Sequence, residues 1–336
     1  MDAPAACLRL PADEAFIRAG IEYAKRTLGS GRLPRQWAPH LRTVIAAAAI
    51  ELAFRRWLET NAVPYQLFPV NAFTNHPRSE LLLGGRRCHL QTTLIGEREV
   101  VNALRCDRRR WQSACVWLPE SCFQTEKLTE NDLCLFGLAT MREMRRADDW
   151  RQIVATGQPH YLLHAPRRWR SVVETLTLPR VLHHPPRWKT LGRLSVMNNT
   201  MQPLTVEVGG QDVHHSFIAA EVSVAPRSRS ELRAEFFTCL YAHVPTLPQG
   251  MVSIYSPARR ETLLIAPFAW HNLWLYDAEF SMVGWLTRAE MRRRSHRLPA
   301  GVRLFPGGLT PTIGRSVPVT DLHPLTALAE LLRPVR

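Results

Sequence analysis

Lysine is almost missing from this chain. Only Lys25, Lys127 and Lys189 are lysines among its 336 residues, while the other 40 basic residues are arginines. That excludes a surface of compact ammonium charges and leaves guanidinium forks, which grip phosphates and carboxylates through paired donors. Acid is also short. The 29 Asp and Glu residues leave a formal charge of +14 and a pI near 10.2. A polyanionic partner is the first expectation, with nucleic acid ahead of a membrane surface and DNA ahead of RNA. The alternative is an arginine bias of coding origin on a protein-interaction scaffold that needs no anionic partner.

Other absences narrow the field. No apolar run approaches the ~20 residues of a membrane span, and the acidic, proline-bearing start is unlike a signal peptide. A cytoplasmic location and no membrane partner are expected. Seven cysteines, an odd number at uneven spacing, speak for free thiols in a reducing compartment. Cys106, Cys115, Cys122 and Cys134 lack a CxxC pair and read as small buried hydrophobes, not as a zinc site. "GGLTPTIG" has no GK[ST] behind it, which excludes a phosphate loop, and no Ser, His and Asp spacing marks a nucleophilic hydrolase. The adjacent pairs His183 with His184 and His214 with His215 point to opposite faces of an extended strand, a poor metal geometry. There is no internal repeat and no low-complexity tract.

What remains is a chain for folding. An apolar fraction of 46% and a charged fraction of 21% are ordinary for a globular protein. Its length suits two domains or one core with an insertion. "PADEAFIRAGIEYAKRTLGSG" predicts a short amphipathic helix stopped at Gly29 to Gly31, and "HLRTVIAAAAIELAFRRWLET" a longer one. "SELLLGGRRCHLQTTLI" follows as a hairpin, and "TENDLCLFGLAT" has the continuous apolar run of a buried strand. From about Met141 a charged helix, "REMRRADDWRQI", leads into short extended segments. "PLTVEVGGQDVHHSFIAAEVSVAP" alternates like two strands joined near Gly209 and Gly210, and "GMVSIYSPARRETLLIAP" like a further pair. Helical signal returns at "VGWLTRAEMRRRSHRLPAG", with a capping box at Thr287 and Glu290 and an end at Pro299; a last helix starts near Pro324. The expectation is an N-terminal helical segment at 1–35, an α/β (α+β) core from 36–140 and 272–336, and a β-rich inserted domain at 145–270.

The hairpin concentrates polar side chains. A two-residue turn at Gly84 and Gly85 sets Leu83 opposite Arg86, Leu81 opposite Cys88 and Glu80 opposite His89, and alternation adds Gln91 to the face of His89. In the preceding helix, Val44, Ala47, Ala48, Phe54 and Leu58 lie within about 60° of Glu51. That carboxylate is then expected inside the apolar stripe, where it needs a cation, a donor or a metal. The face carrying His89 is the expected meeting place.

This layout resembles the PD-(D/E)xK, or restriction-endonuclease-like, nucleases. Their helix carries an inward Glu, and their hairpin an acid on the first strand and an acid-x-lysine on the second. The resemblance implies a mixed sheet flanked by helices, with Glu51 as the helix acid, Glu80 as the first hairpin acid, His89 at the second acid and Gln91 at the lysine. An active enzyme of that kind is a deoxyribonuclease that hydrolyses phosphodiesters with Mg²⁺ or Mn²⁺, here on Glu80 and His89. His89 suits a hard cation poorly and Gln91 carries no charge, so the expectation is a retired site needing no cofactor. The implied function is nucleic-acid binding as a catalytically inactive subunit of a mobile-element or defence complex, with protein partners. Binding candidates are the mixed Arg and Trp stretches, Arg108, Arg109, Arg110 and Trp111, then Arg167 and Arg168, and the helical Arg292, Arg293 and Arg294.

Overall fold

Runs of apolar residues, first at helical and then at strand spacing, build the first part of the chain. The computed structural model describes residues 7–28, 37–70, 78–123, 129–142, 160–164, 175–176, 182–183, 189–197, 203–210, 216–217, 221–224, 240–244, 252–256, 261–265 and 271–331. The chain divides into two units, one made of 1–23, 42–143 and 275–336 and the other of 24–41 and 144–274. Helices and a mixed sheet make it an α+β protein. Among the described residues no helix is long and apolar enough to cross a membrane.

In chain order the main elements outside 144–274 are β1 (Leu8–Leu10), α1 (Glu14–Leu28), α2 (Trp37–Thr60), β2 (Tyr65–Val70), β3 (Arg78–Leu83), β4 (Arg86–Ile95), α3 (Arg98–Cys106), β5 (Cys115–Pro119) and β6 (Leu133–Arg142). After the excursion come β7 (Tyr276–Thr287), α4 (Arg288–Arg294), β8 (His296–Leu298), β9 (Gly314–Pro318) and α5 (Leu325–Leu331). Six strands form one sheet in the order β1-β7-β6-β4-β3-β2. The β3–β4 hairpin turns on Gly84 and Gly85, both with positive φ (56° and 75°), and its ladder pairs Leu83 with Arg86, Leu82 with Arg87 and Leu81 with Cys88. β4 then runs parallel to β6, from Cys88 beside Leu133 to Ile95 beside Thr140. Parallel neighbours need a long crossover, which α3 and β5 occupy. β6 is buried from Leu133 to Met141, as its unbroken apolar run requires.

The two faces of the sheet are distinct. Gly137 of β6 lies so close to α2 that a Cβ there would stand 3.0 Å from Ile50 Cγ2, so residues aligned with it face the helix. Its β4 neighbour is Thr92. Alternation then turns His89, Gln91, Thr93 and Ile95 the other way, toward the cluster of Val101, Leu104, Val116 and Phe136 under α3 and β5. α2 buries Ile45, Ala46, Ala49, Ile50, Ala53 and Phe54 completely.

Several boundaries differ from the sequence reading. α4 ends at Arg294, well short of Pro299, because the Ser295 hydroxyl caps the Met291 carbonyl and His296–Leu298 leaves as a strand against β9. α3 and the small β8-β9-β5 sheet were not foreseen.

The second unit is strand-rich where described. Lys189–Met197, Pro203–Gly210, Val252–Ser256 and Glu261–Ile265 form a four-stranded antiparallel sheet. A second sheet runs His271–Asn272, His160–His164, Leu240–Val244, Glu221–Val224 and Thr175–Leu176. Pro203–Gly210 and Glu221–Val224 therefore belong to different sheets and do not pair through Gly209 and Gly210. Asn272, buried, accepts from the backbone N–H groups of Tyr161 and Trp274 at 3.1 Å each. The charged helix expected at "REMRRADDWRQI" falls, from Glu143 on, outside the described residues.

Candidate functional site

Of the four residues aligned with a nuclease centre, Glu51 is not brought together with His89 and Gln91. Glu51 sits about 100° round the helix from the buried Ile50, its side chain is 34% exposed, and Arg55 one turn on pairs with it. It is thus a helix-margin carboxylate with a cation from its own helix, not a buried acid in search of a metal. His89 and Gln91 lie on the face turned away from α2, so the expected meeting of Glu51 with His89 does not occur. Glu80 is in β3, with Phe68 of β2 as its register partner, and its side chain lies outside the described residues.

His89 has acquired other company. Its Nε2 stands 3.6 Å from Cys122 Sγ, at a cavity of about 10 Å³, room for one water, also lined by Leu118, Phe123, Asp132 and Arg288. Cys134, the neighbour of His89 across the β4–β6 ladder, lines the same cavity, and burial pushes its thiol up to about 12. The Cys134 thiol stays protonated and serves as a small hydrophobe. Among the described residues no group of three His, Cys, Asp or Glu side chains is placed to hold a metal ion. Glu51, His89 and Gln91 do not fit a divalent cation, because a hard cation needs converging oxygens.

Asp132 and Arg288, which sequence reasoning passed over, organise this end of the sheet. Asp132 is 6% exposed and accepts from the Arg87 N–H at 3.0 Å and the Thr129 N–H at 2.5 Å, tying the hairpin to the start of β6. Arg288, 5% exposed, donates to the Phe123 carbonyl, and its backbone N–H donates to the Asp132 carbonyl at 2.8 Å. The signal for Asp132 was present in "TEND", a turn-forming tetrad directly before an apolar run.

The proposed nucleic-acid residues fare unequally. Arg108 to Trp111 form a 3₁₀ turn that directs Trp111 against the core cluster, so its indole packs inward, not outward for stacking. Arg109 and Arg110 are exposed, the latter 3.9 Å from Asp107; the side chain of Arg108 lies outside the described residues. On α4, Arg292 pairs with Glu130 and donates to the Phe123 carbonyl at 3.2 Å, while Arg294 donates to Glu290 and to the Asp321 carbonyl. Arg293 alone of the three is exposed with no partner among the described residues. Arg167 and Arg168 lie outside the described residues. No known family, curated protein or solved structure matches this chain.

The capping box anticipated at Thr287 and Glu290 is present and enlarged. Glu290 accepts from the Thr287 N–H and hydroxyl at 3.0 Å each and lies 2.8 Å from His323 Nε2. Burial raises its pKa, but the bonds from His323 and Thr287 and the His323 charge outweigh it and hold the carboxyl at about 2. The folded value lies below the ordinary 4.5, so Glu290 contributes stability fully above that pH and loses it as pH falls toward 2. Urea midpoints should place native protein above Glu290→Gln at neutral pH, with the gap closing through that window. A gap independent of pH would refute the charged role.

Proposed function

We propose that the chain is a nucleic-acid-binding protein built on a restriction-endonuclease-like core, with a β-rich insertion between β6 and β7 and a cleavage face that no longer cuts. Mobile-element or defence complexes, where such subunits work beside protein partners, are the setting this reading favours. One observation carries the retired-site half: the helix acid and the hairpin residues His89 and Gln91 occupy opposite faces of the sheet. The order of helix, hairpin, core strand, closing strand and helix supports the family resemblance. A charge of +14, nearly all of it on arginine, supports the binding half.

The deciding experiment incubates native protein with labelled single- and double-stranded DNA and RNA in Mg²⁺ or Mn²⁺, reading binding and cutting together. The expected result is binding that weakens steeply with salt, as condensed counterions are released, and no cutting. Metal-dependent cutting abolished by Glu51→Ala and by Glu80→Ala would restore an active deoxyribonuclease. An absence of binding even at low salt would leave a protein-interaction scaffold.

A further inference from the structure

Two guanidinium groups directly opposite each other on antiparallel strands repel, unless one is drawn away or an anion stands between them. Arg297 of β8 and Arg315 of β9 are such a pair. Arg315 is drawn inward. Its guanidinium lies 5.6 Å from the centre of the Phe123 ring and 3.5 Å from the Glu120 carboxylate, and donates to the Arg292 carbonyl at 3.2 Å. Arg297 is exposed and has no partner among the described residues. It borders an open groove of about 420 Å³ whose other walls are Glu120, Ser121, Thr312 and Ile313. Arg315 offsets Glu120, so Arg297 leaves the groove one positive charge in excess, beside two hydroxyls and an isoleucine that is 48% exposed.

We infer that this groove takes the phosphodiester backbone of a nucleic-acid strand, with Arg297 gripping a phosphate and Ile313 against the sugar and base edge. With Arg315 already held by Glu120, a phosphate supplies the counter-anion that Arg297 lacks and accepts from its guanidinium. The inference rests on the nucleic-acid reading above and adds the surface that performs it. Contact of this kind carries no sequence information, so its loss weakens every sequence alike.

The test uses the full chain and labelled DNA and RNA oligonucleotides of mixed sequence, titrated over a range of salt. Arg297→Ala should weaken binding about fivefold and lower the salt slope by about one, and Arg297→Glu should weaken it further. Arg56→Ala, an exposed arginine on α2 across the sheet, should leave binding unchanged. Native-like affinity in both Arg297 variants overturns the groove and leaves the broader reading standing. A native chain that binds no oligonucleotide at low salt overturns both, and equal losses in Arg56→Ala reduce Arg297 to general charge and overturn the groove.

Discussion

Asp132→Ala is expected to destabilise the protein by about 3 kcal/mol, read as a drop in the urea midpoint. The side chain is buried and holds two backbone N–H groups, those of Arg87 and Thr129, on one carboxylate. Alanine removes both acceptors where water has little access. Each orphaned donor then costs ~1–3 kcal/mol. Asparagine keeps one oxygen of the pair, so Asp132→Asn should lose about half as much. Equal losses in the two variants would show that charge, not the paired hydrogen bonds, is what matters. The effect has a local readout as well. Asp132 walls the cavity beside His89 and Cys122, so the His89 proton resonances should move in both variants.

Gly284→Ala should cost more still, about 3–5 kcal/mol, seen as a fall in the melting temperature. Gly284 has φ +147° at a register shift in β7, a conformation that side chains rarely adopt. A Cβ there would stand 2.7 Å from both the His323 carbonyl oxygen and Leu322 Cβ. Neither can swing aside, because Trp285 and His323 exchange backbone hydrogen bonds at 3.0 Å, and the Trp285 indole N–H donates to the Pro324 carbonyl at 3.1 Å. Pushing this segment away also removes His323 from Glu290. Gly301→Ala provides the comparison: its φ is +82° but the space is open, so only backbone strain of ~1–2 kcal/mol applies. Equal effects at the two glycines would refute the packing account.

Much of this architecture was legible in the residues, for reasons that are local. Gly84 with Gly85 dictated a tight turn and hence the register of Leu81 through Cys88; the run from Leu133 dictated a buried strand; and Thr287 with Glu290 dictated a helix start. Each depends on neighbours within a few positions. The placement of Glu51 was not legible in the same way. Periodicity locates a residue on its own helix, but α2 is apolar over most of its circumference, so small shifts of the buried stripe move Glu51 from centre to margin. Nor does periodicity say which face of a sheet a helix will cover, and that choice separated Glu51 from His89. The arginines of "MRRRSHR" looked alike as a string, yet Arg292 and Arg294 are committed to Glu130, Glu290 and backbone carbonyls distant in sequence, whereas Arg293 and Arg297 are not. The network of Arg105 with Asp277, Glu279 and Thr140 joins α3 to strands far along the chain, and no local pattern announces it.

The placement of β7 at the heart of the main sheet has a consequence for how the protein is made. β6 leaves the ribosome long before Tyr276–Thr287, its neighbour on one side, has been translated. During that interval one edge of β6 carries unpaired peptide groups along a strand with a continuous apolar surface, the pairing template on which nascent chains aggregate. β1 is in a similar position: Leu8–Leu10 precedes β7 by the whole excursion and, among the described residues, pairs with β7 alone. High contact order of this kind slows the closing of the sheet and gives folding helpers a long window in which to act. Of the six strands of this sheet, the earliest in the chain is among the last to find its place.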